Sequence, residues 1–287
     1  MHQIAARLAL VLPAVAGGPP ALAQAAEQTP TPLQEIVVAA ERLPGQPVTD
    51  RLAPRRAATG DTASLLNEGP GVELQGAGGV ASLPVIRGMA DDRNRIKVDG
   101  MDLIAACANH MNPPLSYLAP GNLGTVKVYA GITPVSVGGD SIGSTIVADS
   151  PAPEFAPPGG ESIARGKLGA FYRSNGDARG VDAAASLASS ALSLRYHGAA
   201  SAAGNTRAGG DFRTNTATGR IGHALPRDEI GSTAYRARNH ALDLATRLGA
   251  DLVEAKFGYQ DIPEQLWPNQ RMDMLGNRQL RTNLRYL

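Results

Sequence analysis

The sequence predicts a small α+β domain followed by an array of antiparallel strands. Short β-prone segments broken by Gly and Pro turns fill the first half. A cluster at Pro151, Pro153, Pro157, Pro158, Gly159 and Gly160 punctuates the middle. Beyond it, Leu192, Leu194 and Tyr196 alternate with Ser193, Arg195 and His197, and Val253, Ala255, Phe257 and Tyr259 alternate with Glu254, Lys256 and Gly258. Side chains two apart share a face of a strand, so each run has one apolar and one polar face. A transmembrane β-barrel needs that pattern, with lipid outside and water inside. A soluble sandwich with one wet face shares it.

The chain has 287 residues and a formal net charge of +1, with 18% charged residues. The length suggests about two domains. Near-neutral charge removes the electrostatic case for nucleic acid or an anionic membrane surface as partner. No run reaches the roughly 18 apolar residues of a membrane helix. Residues 1–23 read as a secretory signal. Arg7 gives the positive start, Leu8 to Ala16 the apolar stretch, and Ala21-Leu22-Ala23 the cleavage site.

Residues 24–45 form a flexible linker, punctuated by Gln28-Thr29-Pro30-Thr31-Pro32. Within it, Leu33 to Ala39 is either an ordinary first strand or a segment for strand addition to a partner's sheet edge. The α+β domain covers 46–158. Asp61 caps a helical turn over 61–66, which Gly69-Pro70-Gly71 ends. Val72 to Leu74 is a strand. Val85 to Gly88 and Arg95 to Gly100 are expected to pair, the second closing on an Asp-Gly turn. Strands at Leu123 to Tyr129 and Ser144 to Ala148 flank a Gly-rich stretch. Residues 159–287 hold the alternating strands.

Cys107-Ala108-Asn109-His110-Met111-Asn112-Pro113-Pro114 carries the chemistry. The only cysteine lies four residues before a methionine, with a histidine between. Thiolate and thioether suit Cu(I) better than any hard cation. Positions 107 and 111 share a face if the loop makes a helical turn. An unpaired thiol in an oxidising compartment is a hazard unless buried or ligated. A buried apolar cysteine is the competing reading. No Ser/His/Asp or paired-carboxylate arrangement argues for an enzyme.

In this order the pieces resemble the N-terminal part of a TonB-dependent outer-membrane receptor. Glu35, Ile36, Val37, Val38 and Ala39 are similar to the TonB box. Ser64-Leu65-Leu66, Gly69-Pro70-Gly71-Val72, Ile86-Arg87-Gly88, Arg95 to Gly100 and Val126 to Tyr129 are similar to successive motifs of the plug domain. The segment 107–114 resembles the plug loop of copper receptors of the OprC and NosA type. Gly258 to Pro263, followed by Pro268 to Met274, resembles a stretch of their barrel wall. The resemblance implies an α+β plug followed by antiparallel transmembrane β-barrel strands, in the outer membrane.

It also implies a copper ion, Cu(I) favoured, held between plug and barrel by Cys107, Met111 and Met274. Met272 stands where the family has histidine, which departs from the pattern. His110 is a substitute ligand or an outer partner. The TonB protein, outer-membrane lipid and copper are the implied partners, without nucleic acid, and the implied state is a monomer. Such a barrel has about 22 strands. The residues after Gly160 supply about six to eight at the 9–11 residues each needs. An incomplete barrel and a truncated chain are therefore expected. A siderophore receptor, a periplasmic plug-like binding protein and a non-transporting remnant are the rivals.

Overall fold

The computed structural model describes residues 46–47, 55–56, 59–67, 69–76, 79–138, 141–268 and 273–287. The signal segment, Glu35 to Ala39 and Met272 lie outside them. The N-terminal domain holds strands β1 (Gln46–Pro47), β2 (Val72–Gly76), β3 (Ser82–Ile86), β4 (Asn94–Val98), β5 (Met101–Asp102), β6 (Thr125–Ala130) and β7 (Ser144–Asp149). Five form one sheet in the order β1-β6-β7-β4-β5, while β2 and β3 form a separate hairpin. Ile96, Val98, Val126, Val128, Ile146 and Ala148 share the buried face of the sheet. Ala63, Leu65 and Leu66 come from the predicted turn over 61–66. It is a 3-10 helix at Thr62–Leu66, and the Asp61 carboxylate accepts from Ala63 N at 3.0 Å. The N-cap thus satisfies a donor at the buried end of the turn.

One expected pairing is corrected. The strand at residues 82–86 does not pair with that at 94–98. β3 pairs with β2, while β4 runs parallel to β7 and antiparallel to β5. Local geometry explains both choices. After β3 the chain closes on itself, Ile86 and Met89 exchanging backbone hydrogen bonds around Arg87 and Gly88, both left-handed. After β4, Asp99 and Gly100 are left-handed, with φ of 52° and 78°. Two such residues make the tight turn that returns the chain at once as β5.

The second half is a six-stranded antiparallel sheet. Its strands are β8 (Ile163–Arg173), β9 (Ala178–Ala188), β10 (Leu192–Ala203), β13 (Tyr235–Leu248), β14 (Asp251–Gln265) and β15 (Asn277–Tyr286). Between β10 and β13 lies a two-stranded ribbon, β11 (Thr206–Arg207) with β12 (Glu229–Ile230). The edge strands β8 and β15 do not meet, so the sheet is an open wall. At one end its strands are joined by short turns at 189–191 and 249–250. The linker enters there, with Ala156 N donating to Ser189 O. The connections 204–234 and 266–276 lie at the other end.

The two faces of the wall differ as the alternation predicts. Leu168, Val181, Leu244, Phe257, Leu284 and Tyr286 line the outer face and are exposed. Arg195, Lys256, Gln260, Arg281 and Asn283 line the inner face and contact the N-terminal domain. A sandwich in water would turn the apolar face inward. Here the apolar face is outermost, as in a lipid-facing barrel wall.

Candidate metal-binding site

The loop carrying Cys107 is a single tight turn. His110 N donates to Cys107 O at 2.9 Å, and Cys107 N donates to Asn112 Oδ1 at 3.0 Å. Tyr117 Oη accepts from Ala106 N at 3.0 Å. His110 is left-handed, with φ of 51°, so the turn stops there. The expected helical turn through 111 does not form, and the next helical residues are the 3-10 turn Pro114–Tyr117. Pro113 and Pro114 lack the N–H groups that a continuing helix would use. The Cys107 thiol is free and half-buried, and Met111 is buried.

The wall meets this loop through Trp267, the only tryptophan. Its side chain is 1% exposed, and its Nε1 donates to Met111 O at 3.1 Å. Trp267 N in turn donates to Asp273 Oδ1 at 3.4 Å. Two residues earlier, Gln265 exchanges backbone hydrogen bonds of 2.9 Å with Met274 in both directions. Met274 packs against the cluster of Val80, Tyr235, Ala237 and Ile262. The structure therefore brings the backbone of the Cys107–Met111 loop to the wall segment that carries Met274. Met272 is outside the described residues.

His110 is directed elsewhere. Its Nε2 lies 4.0 Å from Asp91 Oδ1 and 3.9 Å from Asp92 Oδ2. The three line a cavity of about 390 Å³ with Arg95 and Asp102. Among the described residues no group of three His, Cys, Asp or Glu side chains is arranged to hold a metal ion. What this loop offers a metal is sulfur, which favours a soft ion over a hard one.

Sequence reasoning missed a buried ion pair between domain and wall. Asp99, 1% exposed, accepts at Oδ1 from Lys256 Nζ at 2.8 Å, from Ser150 Oγ at 2.6 Å and from Ser150 N at 2.9 Å. Lys256 Nζ also donates to Ser150 Oγ at 2.8 Å. Arg281 stands 3.8 Å from Asp99 Oδ2, and Asn283 Nδ2 donates to Asp99 O at 2.6 Å. Burial pushes the Asp99 carboxyl up, but Lys256 and the Ser150 donors outweigh it and hold it below its ordinary value. Gln260, Arg281 and Arg195 add hydrogen bonds to Ser116 O, Tyr117 O and Asn122 Oδ1. Each pairs a polar acceptor of the N-terminal domain with a donor from the wall. The one available signal was a cation at 256 and at 281, on the polar face of strands whose other face is apolar.

With this geometry in view, comparison with known proteins is informative. The family described as TonB-dependent Receptor Plug Domain matches residues 46–145. A sequence search of curated proteins finds no match. Among solved structures the chain is similar to the copper transporter OprC, with a TM-score of 0.67 and 23% identity over 80% of this chain and 33% of that one. It is also similar to the iron transporter FrpB of Neisseria meningitidis, with a TM-score of 0.60 and 17% identity over 74% of this chain and 30% of that one. A variant of the ferric enterobactin receptor PfeA of Pseudomonas aeruginosa gives a TM-score of 0.53 and 16% identity over 78% and 35%. The chain thus spans about a third of the length of these structures. The fold is that of a TonB-dependent receptor plug domain followed by antiparallel barrel strands that do not close.

Proposed function

We propose that this chain forms the plug and first wall strands of a TonB-dependent outer-membrane receptor that imports copper. Cys107 and Met111 from the plug loop and Met274 from the wall are the ligands, Cu(I) the preferred ion, and Met272 a further sulfur donor. His110 acts at one remove, through the carboxylates beside it. Residues 35–39 bind the TonB protein, whose pull on the plug opens the path inward. Substrate bonds are neither made nor broken in such transport, so the protein is no enzyme. The observation that carries the reading is the Trp267 to Met111 hydrogen bond, which fastens a Cys/Met loop to a Met-bearing wall segment. Soft sulfur from both sides suits Cu(I), and the similarity to OprC agrees with it.

The test is Cu(I) titration of the full-length receptor with a competing chelator. Cys107→Ser and Met111→Ala are each expected to weaken binding at least tenfold, about 1.4 kcal/mol. Unchanged affinity in both removes the site.

A second reading keeps the receptor and changes the cargo to an iron chelate, as FrpB and the ferric enterobactin receptor resemble the chain too. Growth of a strain lacking the gene separates them. A copper importer gives a defect restored by copper. A chelate receptor gives one restored by iron.

A further inference from the structure

The inner face of the wall holds a buried amide that no protein group serves. Gln265, the last residue of β14, is 0% exposed, yet neither its amide oxygen nor its amide nitrogen has a hydrogen-bond partner. Another buried glutamine of the same strand is engaged: Gln260 Nε2 donates to Ser116 O and to Asn239 Oδ1, both at 2.8 Å. The neighbours of Gln265 in the wall are spent elsewhere. Tyr235 lies opposite it on β13, and the Tyr235 hydroxyl accepts from Arg173 Nη2 at 3.1 Å. Trp267, two residues on, gives its Nε1 to Met111 O. An amide buried without a partner is costly, and an apolar side chain of that volume would cost less. Such a group calls for a water, an ion or a functional contact.

Its position selects among these. Gln265 and Met274 exchange both backbone hydrogen bonds at 2.9 Å. Residues paired in this way put their side chains on one face, with Cβ atoms about 5 Å apart. Met274 packs against Val80, Tyr235, Ala237 and Ile262, so the surroundings are largely apolar. Trp267 brings the backbone of Met111 to the same segment. A buried water needs about two to four polar partners, and this lining offers it few beyond the amide itself. A cation already ligated by sulfur needs only a lone pair, which an amide oxygen supplies. Glutamine oxygen can serve copper as a weak, long donor beside a sulfur-containing set.

We propose that Gln265 Oε1 is a further donor to the metal ion held by Cys107, Met111 and Met274. The inference rests on the sulfur site argued above and adds one oxygen to it. The unpartnered amide is a cost in the metal-free protein that is recovered when the ion arrives. Its effect is selectivity. An oxygen donor helps a harder ion more than a softer one, so Gln265 favours Cu(I) over Ag(I), which sulfur alone holds well.

Competition titrations of the refolded protein with Cu(I) and with Ag(I) test this, alongside urea unfolding of the metal-free protein. Gln265→Leu is expected to lower Cu(I) affinity about tenfold and Ag(I) affinity less than about threefold. The metal-free variant is expected to be at least as stable as wild type, since no hydrogen bond is lost. Gln265→Met keeps the shape and offers sulfur, and is expected to shift the ratio of affinities toward Ag(I). Unchanged Cu(I) affinity in Gln265→Leu overturns the proposal. So does an equal loss of both ions together with a loss of stability, which is the pattern of a structural amide. If Gln265→Leu does not fold, Gln265→Met decides, and a wild-type ratio of the two affinities overturns the proposal. Failure of the wild-type protein to hold Cu(I) at all is a separate result, which removes the sulfur site and this donor with it.

Discussion

Lys256→Met is expected to destabilise the protein by about 3–5 kcal/mol, toward the lower end because Arg281 stays 3.8 Å from the same carboxylate. Lys256 and Asp99 are 10% and 1% exposed, so solvent screens their attraction little. Removing the cation leaves a buried anion hydrogen-bonded only by hydroxyl and amide donors, with Arg281 as its nearest remaining cation. The second change, Asp99→Asn on the Lys256→Met background, is expected to recover part of the loss, because it removes the stranded anion but leaves Arg281 with Asp243 as its remaining nearby countercharge. Urea unfolding of the refolded protein and its variants measures this. A single variant as stable as wild type would show that the contact contributes nothing. The pH dependence has a defined sign. The native Asp99 carboxyl ionises below its ordinary 3.8. Its contribution is therefore complete above the unfolded value and is lost as the pH falls from there through the lowered native one. Asp99→Asn should flatten that acid limb.

Trp267→Ala carries the second large effect. Emptying a fully buried indole site costs about 3–5 kcal/mol. Trp267→Phe separates ring from donor. It keeps most of the apolar volume and leaves the Met111 carbonyl without its indole partner, a loss of about 1–3 kcal/mol. Hydrogen exchange at the Cys107 and His110 amides should rise in both variants, and, on the copper-site proposal, Cu(I) affinity should fall with it. Equal protection in all three proteins would mean that the wall does not hold the loop.

Much of the fold was legible because its causes are local. Asp61 beside Thr62-Ala63-Ser64 announces a cap, Asp99-Gly100 announces a tight turn, and the dyads in 192–197 and 253–259 announce strands with two unlike faces. The pairing of 82–86 with 72–76 was not legible, because hairpin partners at similar spacing stood on both sides. Which partner wins depends on where the backbone turns left-handed, and Arg87 gives no such signal by its residue type. That Cys107, His110 and Met111 sit close together on one loop was legible. The direction of His110 toward Asp91 and Asp92 was not, since it follows from packing. Trp267 and Lys256 reach across 156 and 157 residues to their partners. No spacing rule reads a contact of that range.

The Asp99 junction also sets an order of assembly. A ribosome makes residue 99 well before residue 256, and its other wall partners, Arg281 and Asn283, come later still, Asn283 184 positions after it. In the interval the N-terminal sheet has its own apolar core to fold around, while the carboxylate stays hydrated. Dehydrating it becomes favourable only when the ammonium group arrives. Such distant contacts form late and slowly. Seating the domain and neutralising its charge are therefore one event, and a wall lacking β14 would leave the N-terminal unit undocked in solution.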